Sequence, residues 1–263
     1  MDTDNAGVVI EVRDGIAEVL LNRPDKLNAL DRAMFDAINA AIEEIGRRDD
    51  VSVVVLSGAG PAFCAGIDLA FLGDPGNLPD LSVRTHGEAN YFQQVAWGWR
   101  TLGVPVVAAL HGVVFGGGLQ IALGADIRIA HPDTKLAVME ARWGLVPDMA
   151  GYPLLRGLLR NDVARELVYT ARQVSGLEAA QLGLVTRTAE DPHGEALRVA
   201  HEIAASSRAS LIAAKRLFRV AQDEAAPARD VLLAESREQQ VLIESEEPAL
   251  RLAAAFGGRG AVD

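Results

Sequence analysis

The chain has 263 residues, of which 49% are hydrophobic and 23% charged, with a formal net charge of −11. This composition excludes a globally disordered chain and predicts one large domain or two small ones. The single cysteine excludes an internal disulfide, and the acidic balance, which no lysine- or arginine-rich run offsets, argues against a nucleic-acid partner.

The first sixty residues alternate strand and helix patterns. Two β-branched runs at 8–12 and 16–21 flank a turn sequence and predict a β-hairpin. Apolar residues at helical spacing over 30–45 predict a helix, with Asp31 as its N-cap. A buried strand is predicted over 51–56, and a further helix over 91–102. The acidic start of the chain lacks the apolar run of a signal peptide, so we expect a cytoplasmic protein.

The stretch from Thr101 to Ala125 has no charged residue and is long enough to span a bilayer. It also contains a glycine triplet, a poor choice for a lone helix in lipid. We therefore predict no membrane association and interpret the stretch as a buried strand over 104–110, a turn over 111–118 and a buried helix over 119–123. Short strands at 127–130 and 136–138 follow, and this alternation predicts an α/β core with mainly parallel pairing.

The chain becomes mostly helical after residue 149. A strand pattern covers 183–186, and four alanine-rich amphipathic segments predict helices over 194–206, 209–222, 228–244 and 246–256. We expect a catalytic core over residues 1–195 and a helical C-terminal region over residues 196–263.

The turn at Gly116, Gly117 and Gly118 is the first candidate site. Glycines let a ligand approach the backbone amides closely. A helix beginning at Leu119 would direct its free N–H groups out of this turn, where they could stabilise a developing negative charge such as an enolate oxygen. The alternative interpretation is a tight turn between two packed elements.

Glu140 and Asp148 form the second candidate, because their neighbours in the sequence are mostly apolar. Two carboxyl groups in an apolar pocket can differ in pKa, so that one acts as a base and the other as an acid. The alternatives are structural: a salt bridge from Glu140 to Arg142 or another arginine, and an N-cap role for Asp148.

Other reaction classes lack a motif. The sequence has no Gly-x-Ser-x-Gly, no phosphate-binding Walker loop and no Gly-x-Gly-x-x-Gly that opens a helix. The five histidines show no metal-ligand spacing, so we predict no metal site. Hydrolase, nucleoside-triphosphatase and NAD-dependent functions are therefore disfavoured.

Six segments together identify a family resemblance that covers the chain from about residue 8 to residue 250. In their order and spacing they resemble the crotonase, or enoyl-CoA hydratase/isomerase, family; the segments are 21–30, 62–69, 105–112, 116–120, 140–151 and 183–185. The resemblance implies a spiral of ββα units, a helical C-terminal trimerisation region, and trimers that often pair into hexamers. It also implies an acyl-CoA thioester substrate and no separate cofactor.

The resemblance assigns roles to particular residues. The amides of Ile67 and Gly117 would hold the thioester oxygen. Arg23 or Lys26 would hold the CoA tail, and Phe256, with Arg259, would reach the CoA of a neighbouring subunit. The remaining residues expected to line the CoA and substrate site are Leu27, Ala29, Ala65, Gly66, Asp68 and Gly116.

The reaction is indicated by three positions. Hydratases of the family carry a glutamate where this chain has Gln120, whose amide can orient water but cannot accept a proton. The second hydratase glutamate matches Glu140. Dienoyl-CoA isomerases carry a glutamate and an aspartate at the spacing of Glu140 and Asp148, so double-bond isomerisation is favoured. The alternatives are a 2-enoyl-CoA hydratase with Glu140 as its main acid/base, and a family member that binds acyl-CoA without turnover.

Overall fold

Two sheets organise the chain in the computed structural model, which describes residues 7–77, 79–223 and 225–257. The larger sheet has the order β1-β2-β3-β4-β6-β9, with β1 antiparallel to β2 and the other neighbours parallel. The smaller sheet has the order β5-β7-β8. The strands are β1 Val8–Arg13, β2 Ile16–Leu21, β3 Val53–Gly58, β4 Val106–Leu110, β5 Val113–Phe115, β6 Ile127–Ala130, β7 Lys135–Ala137, β8 Val174–Ser175 and β9 Arg187–Thr188.

Helices connect and cover these strands. Short 3-10 turns at Pro24–Lys26, Pro75–Asn77 and Glu140–Trp143 supplement them. The α-helices are α1 Arg32–Gly46, α2 Leu69–Leu72, α3 Tyr91–Thr101, α4 Gly117–Leu123, α5 Gly151–Leu155, α6 Asn161–Thr170, α7 Gly176–Leu182, α8 Pro192–Ala204, α9 Arg208–Ala221, α10 Ala228–Glu244 and α11 Glu247–Gly257. The predicted α/β class with mainly parallel pairing is confirmed.

The hairpin and the first helix form for the reasons that the sequence indicates. Asp14 and Gly15 both have positive φ, as the tight turn between β1 and β2 requires. The Asp31 side chain accepts a hydrogen bond from the Met34 amide and caps α1. The apolar face of α1 is buried, so capping and burial both stabilise this helix.

The uncharged stretch is buried inside the protein. Every residue of β4 and of α4 is buried. Within the described residues, no helix is both long enough and apolar enough to cross a membrane.

Three predicted boundaries were wrong. The turn expected over 111–118 contains β5, a strand of three residues. The helix expected to begin at Leu119 begins at Gly117, with Gly116 as its N-cap. The strand expected over 183–186 is irregular, and pairing with β6 begins at Arg187.

The chain divides into two compact units between Ala204 and Ala205, whereas the predicted division, after residue 195, falls inside α8. The first unit contains both sheets. In the second unit an ion pair joins Arg216 of α9 to Glu238 of α10 at 2.8 Å. This unit exposes many large apolar side chains, among them Phe218, Leu232, Leu233, Val241, Ile243, Leu250, Leu252 and Phe256.

Candidate active site

Two backbone segments approach each other closely at the start of α4. The segment after β3 pairs with β5, where the Phe115 amide donates to the Cys64 carbonyl at 3.0 Å. Gly66 follows with a φ of 93°. A Cβ added to Gly66 would lie 2.7 Å from the Phe115 carbonyl oxygen and 3.5 Å from the Gly117 nitrogen. Only glycine fits this crossing, which places Gly66, the residue before Ile67, against the start of α4.

The amides of Ile67 and Gly117 donate no hydrogen bond to any described residue. Leu30 pairs with the groups on either side of Ile67, because its amide donates to the Gly66 carbonyl and its carbonyl accepts from the Asp68 amide. Gly117 is the first residue of α4, where the N–H has no partner one turn earlier. Two adjacent amides without acceptors are suited to hold a thioester oxygen that becomes negative.

The glycine triplet is required by packing as well as by access. A Cβ on Gly117 would lie 2.9 Å from the Met149 sulfur and 3.0 Å from a Leu30 methyl carbon. A Cβ on Gly118 would overlap the Cys64 carbonyl. The glycines therefore let α4 begin directly against the neighbouring backbone.

The segments expected to bind CoA lie side by side. The Ala65 amide donates to the Leu27 carbonyl at 2.9 Å. Leu27 and Asn28 have φ values of 52° and 55°. The buried Asn28 amide donates to the carbonyls of three residues, which are Ala59, Ala62 and Phe63. Asn28, which the sequence did not single out, fixes the turn that carries Lys26, Leu27 and Ala29.

The Arg23 guanidinium already has three partners in this region. Its guanidinium donates to the Ala29 carbonyl at 3.0 Å and pairs with Asp31 at 3.0 Å and with Asp68 at 3.1 Å. The Arg23 guanidinium and the Ala70 amide, which donates to the Asp68 carboxylate, keep the pKa of Asp68 low against the opposing effect of its partial burial. Lys26 is exposed, so it remains the more accessible cation for a phosphate.

Gln120 links Glu140 to Gly151, which lies at the end of the loop that follows Glu140. The Gln120 amide nitrogen donates to Glu140 Oε1 at 2.6 Å, and the Gln120 oxygen accepts from the Gly151 amide at 3.0 Å. Because the Gly151 N–H is a donor, the Gln120 oxygen must face it, and the Gln120 nitrogen then faces Glu140. The other carboxylate oxygen of Glu140, Oε2, is buried and has no partner among the described residues.

Burial raises the pKa of Glu140; the hydrogen bond from Gln120 opposes this effect, and the charge on Asp148 adds to it. Burial also raises the pKa of Asp148. The residue is exposed, but the protein around its carboxyl group removes enough water to disfavour the charged form. The pKa of each acid is thus raised, and burial is the largest cause for both.

Neither structural alternative accounts for these acids. Glu140 forms no ion pair or hydrogen bond with Arg142 or with any other arginine among the described residues. The N-cap of α5 is Ala150, and no side chain caps this helix. Asp148 instead lines a cavity of about 430 Å³ together with Ala150. Met149, which lies between these two residues in the sequence, packs against Gly117.

The remaining predicted residues fall in three places. Gly116 lies close to Glu140, because a Cβ there would lie 3.3 Å from Glu140 Oε1. Phe256 lies on α11 in the second unit and is 64% exposed. Arg259 lies outside the described residues.

The sequence prediction missed Met149 and Gly151, since an apolar side chain and a glycine carry no chemical motif in the sequence.

No group of three or more His, Cys, Asp or Glu side chains in the described part of the chain is arranged to hold a metal ion. Cys64, the single cysteine, is buried at the base of the glycine turn, and burial raises the pKa of its thiol to about 12. The thiol therefore stays protonated at neutral pH and is not a nucleophile.

Comparisons with known proteins agree with this arrangement. The family described as Enoyl-CoA hydratase/isomerase matches residues 11–248. Two Arabidopsis thaliana proteins are each 32% identical to this chain. One is a probable enoyl-CoA hydratase 2, mitochondrial, which matches 72% of this chain. The other is a peroxisomal Delta(3,5)-Delta(2,4)-dienoyl-CoA isomerase, which matches 65% of it. These matches span 62% and 64% of the relatives' own lengths, which is under two thirds.

A solved structure of an enoyl-CoA hydratase from Bacillus anthracis superposes with a TM-score of 0.86 at 25% identity, over 97% of this chain and 98% of that one. The fold predicted from the six sequence segments is confirmed by this likeness and by the family match. The chain belongs to the enoyl-CoA hydratase/isomerase, or crotonase, family of enzymes.

Proposed function

We propose that this enzyme isomerises a double bond in an unsaturated acyl-CoA, with Glu140 and Asp148 moving the proton. The observation that carries the proposal is the arrangement of Glu140: a buried carboxylate whose Oε2 has no partner, beside the glycine turn that bears the free amides. An unpartnered buried carboxylate oxygen is costly unless a ligand uses it. A substrate C–H beside the thioester would use it.

The reaction needs no redox partner and no cofactor beyond the CoA of the substrate. One carboxylate takes a proton from C2, and the electron pair of that C–H bond delocalises onto the thioester oxygen. The amides of Ile67 and Gly117 stabilise the resulting negative charge. The other acid delivers a proton to C4 of a 3-enoyl chain, or to C6 of a 3,5-dienoyl chain, and the double bonds move by one position.

Gln120 favours isomerisation over hydration. Its oxygen is held by Gly151 and its nitrogen by Glu140, so it serves chiefly to fix Glu140 and the loop that carries Asp148. As an amide it cannot deprotonate water. The acid/base pair of this site is therefore Glu140 with Asp148.

A 2-enoyl-CoA hydratase is the second candidate. The amide nitrogen of Gln120 has two N–H groups and gives one to Glu140. The other N–H could orient a water molecule that Glu140 deprotonates, without any role for Asp148.

The variant Asp148→Asn separates these two functions. We expect it to lower isomerisation of 3-enoyl- and 3,5-dienoyl-CoA by about 10²- to 10⁴-fold, because one of the two proton-transfer groups is lost. The same variant should leave hydration of 2-enoyl-CoA unchanged if the enzyme is a hydratase. Robust hydration that survives Asp148→Asn would overturn the isomerase assignment.

The variant also has a readout that does not depend on turnover. The negative charge of Asp148 raises the pKa of Glu140, so its removal makes ionisation of Glu140 easier. We would follow the titration of the Glu140 carboxyl carbon by ¹³C NMR. In Asp148→Asn we expect it to occur at a lower pH than in the wild type. An unchanged titration would show that the two acids do not act as a pair.

We also propose that the protein assembles as a homotrimer or hexamer through the second unit. The support is the set of large apolar side chains that α9, α10 and α11 expose, since a soluble monomer rarely leaves so many uncovered. Light scattering of the purified protein should give a mass of three or six chains. A mass of one chain would contradict this assembly.

A further inference from the structure

The cavity beside Asp148 has two charged residues, Arg84 and Glu88, that the chemistry at C2 does not use. Its wall is largely apolar and includes Trp97, Val146, Pro147 and Tyr152. Arg84 and Glu88 add opposite charges to this lining. Because Asp148 lines the same cavity, the part of the acyl chain beyond the reacting carbons would lie in it.

The hydrogen bonds that hold Arg84 in place all go to neutral groups. Its guanidinium donates to the Ser82 carbonyl at 3.0 Å, to Gln93 Oε1 at 2.9 Å and to the Leu81 carbonyl. Gln93 is itself fixed by reciprocal hydrogen bonds with Asn90 in the capping box of α3. Among the described residues, no carboxylate lies within ion-pair distance of Arg84, although the charge of Asp80 acts on it from farther away.

Such a guanidinium is positioned in advance and has no carboxylate in direct contact. An anion that reaches it would gain charge-assisted hydrogen bonds without first ordering the arginine side chain. Glu88 differs, because it makes no hydrogen bond or ion pair with any described residue. A cationic ligand would therefore have to immobilise Glu88 as it bound.

We propose that Arg84 binds a carboxylate at the far end of the acyl chain, so that the substrates of this enzyme are acyl-CoA thioesters with an acidic terminus. The inference rests on the proposed function, since it requires an acyl-CoA whose thioester lies at Ile67 and Gly117. It adds the chemical class of the chain, which the acids Glu140 and Asp148 do not determine.

Saturated thioesters test this proposal without any turnover. We would measure the Kd of hexanoyl-CoA and adipoyl-CoA by calorimetry, with matched pairs of four and eight carbons to find the length that reaches Arg84. At that length the dicarboxylic thioester is expected to bind about 10-fold more tightly, as for a charge-assisted hydrogen bond. Equal affinity within all three pairs would overturn the proposal.

Two variants assign the effect to Arg84. Arg84→Gln should remove the preference for the acidic chain and leave the Kd of hexanoyl-CoA unchanged, whereas Arg84→Lys should keep part of it. Glu88→Gln, a matched change in the same lining, should keep or increase the preference. Tighter binding of 6-aminohexanoyl-CoA than of adipoyl-CoA would overturn the proposal by assigning recognition to Glu88.

The outcomes also separate this inference from the proposed function. If neither thioester binds, the acyl-CoA site itself is wrong and both proposals fail. If both bind equally and 3-enoyl-CoA is isomerised, only the role of Arg84 fails.

Discussion

Replacing Glu140 by glutamine is expected to lower turnover of every unsaturated acyl-CoA by about 10²- to 10⁴-fold, the usual contribution of a general acid or base. The substitution keeps the shape of the side chain, and Gln120 can still donate to an amide oxygen at the position of Glu140 Oε1. What is lost is the ability to take up and release a proton. The change should appear in kcat, with the KM for acyl-CoA little altered.

The same substitution should not destabilise the fold. Burial raises the pKa of Glu140 in the folded protein, so the ionised side chain opposes folding at neutral pH, and this cost falls as the pH drops through the raised pKa. An amide removes that cost, and thermal unfolding should show an equal or higher Tm. Glu11→Gln, the same chemical change at a side chain that is 57% exposed, is the matched control. Full activity in Glu140→Gln would contradict both the isomerase and the hydratase assignments.

Replacing Gly117 by proline is expected to lower kcat by about 10²- to 10³-fold, the cost of losing one donor from an oxyanion-binding pair. Proline removes the N–H that we assign to the thioester oxygen. Its fixed φ is tolerated at the first position of a helix, which is where Gly117 lies in α4. The preceding residue is also a glycine, so the restriction that proline places on its neighbour is mild.

Gly117→Ala is the control for this change. It adds the same Cβ against the Met149 sulfur and the Leu30 methyl group but retains the N–H. The flexible Met149 side chain can move, so we expect the alanine variant to keep most of its activity and to have a Tm close to that of the proline variant. Equal loss of activity in both variants would assign the effect to packing and not to the missing donor.

The hairpin, α1 and the buried stretch around β4 could be predicted because local sequence decides them. The turn residues Asp14 and Gly15 have the positive φ values that their types favour, and Asp31 caps α1 as expected. Where tertiary contacts decide, the prediction was wrong. Glycine disfavours helix, yet Gly117 and Gly118 begin α4, where a Cβ on Gly118 would overlap the Cys64 carbonyl.

In the candidate site, too, local features could be predicted from the sequence and tertiary contacts could not. Glu140, Asp148 and the glycine turn were identified from residue type and from the family resemblance. The bond from Gly151 to Gln120 joins residues 31 positions apart, and neither residue has a chemical signature that predicts the pairing. Arg84 was missed for a similar reason: its significance lies in its neutral hydrogen-bond acceptors and in the cavity that it shares with Asp148, and both are properties of the folded chain.

The most direct test of the central claim is mass spectrometry of the products that the purified enzyme forms from 2-enoyl-, 3-enoyl- and 3,5-dienoyl-CoA in H₂¹⁸O. Proton transfer by Glu140 and Asp148 alone predicts products with the mass of the substrate, shifted double bonds and no ¹⁸O, together with loss of this activity in Glu140→Gln. Products that gain one ¹⁸O-labelled water, or the absence of any product from all three thioesters, would contradict it.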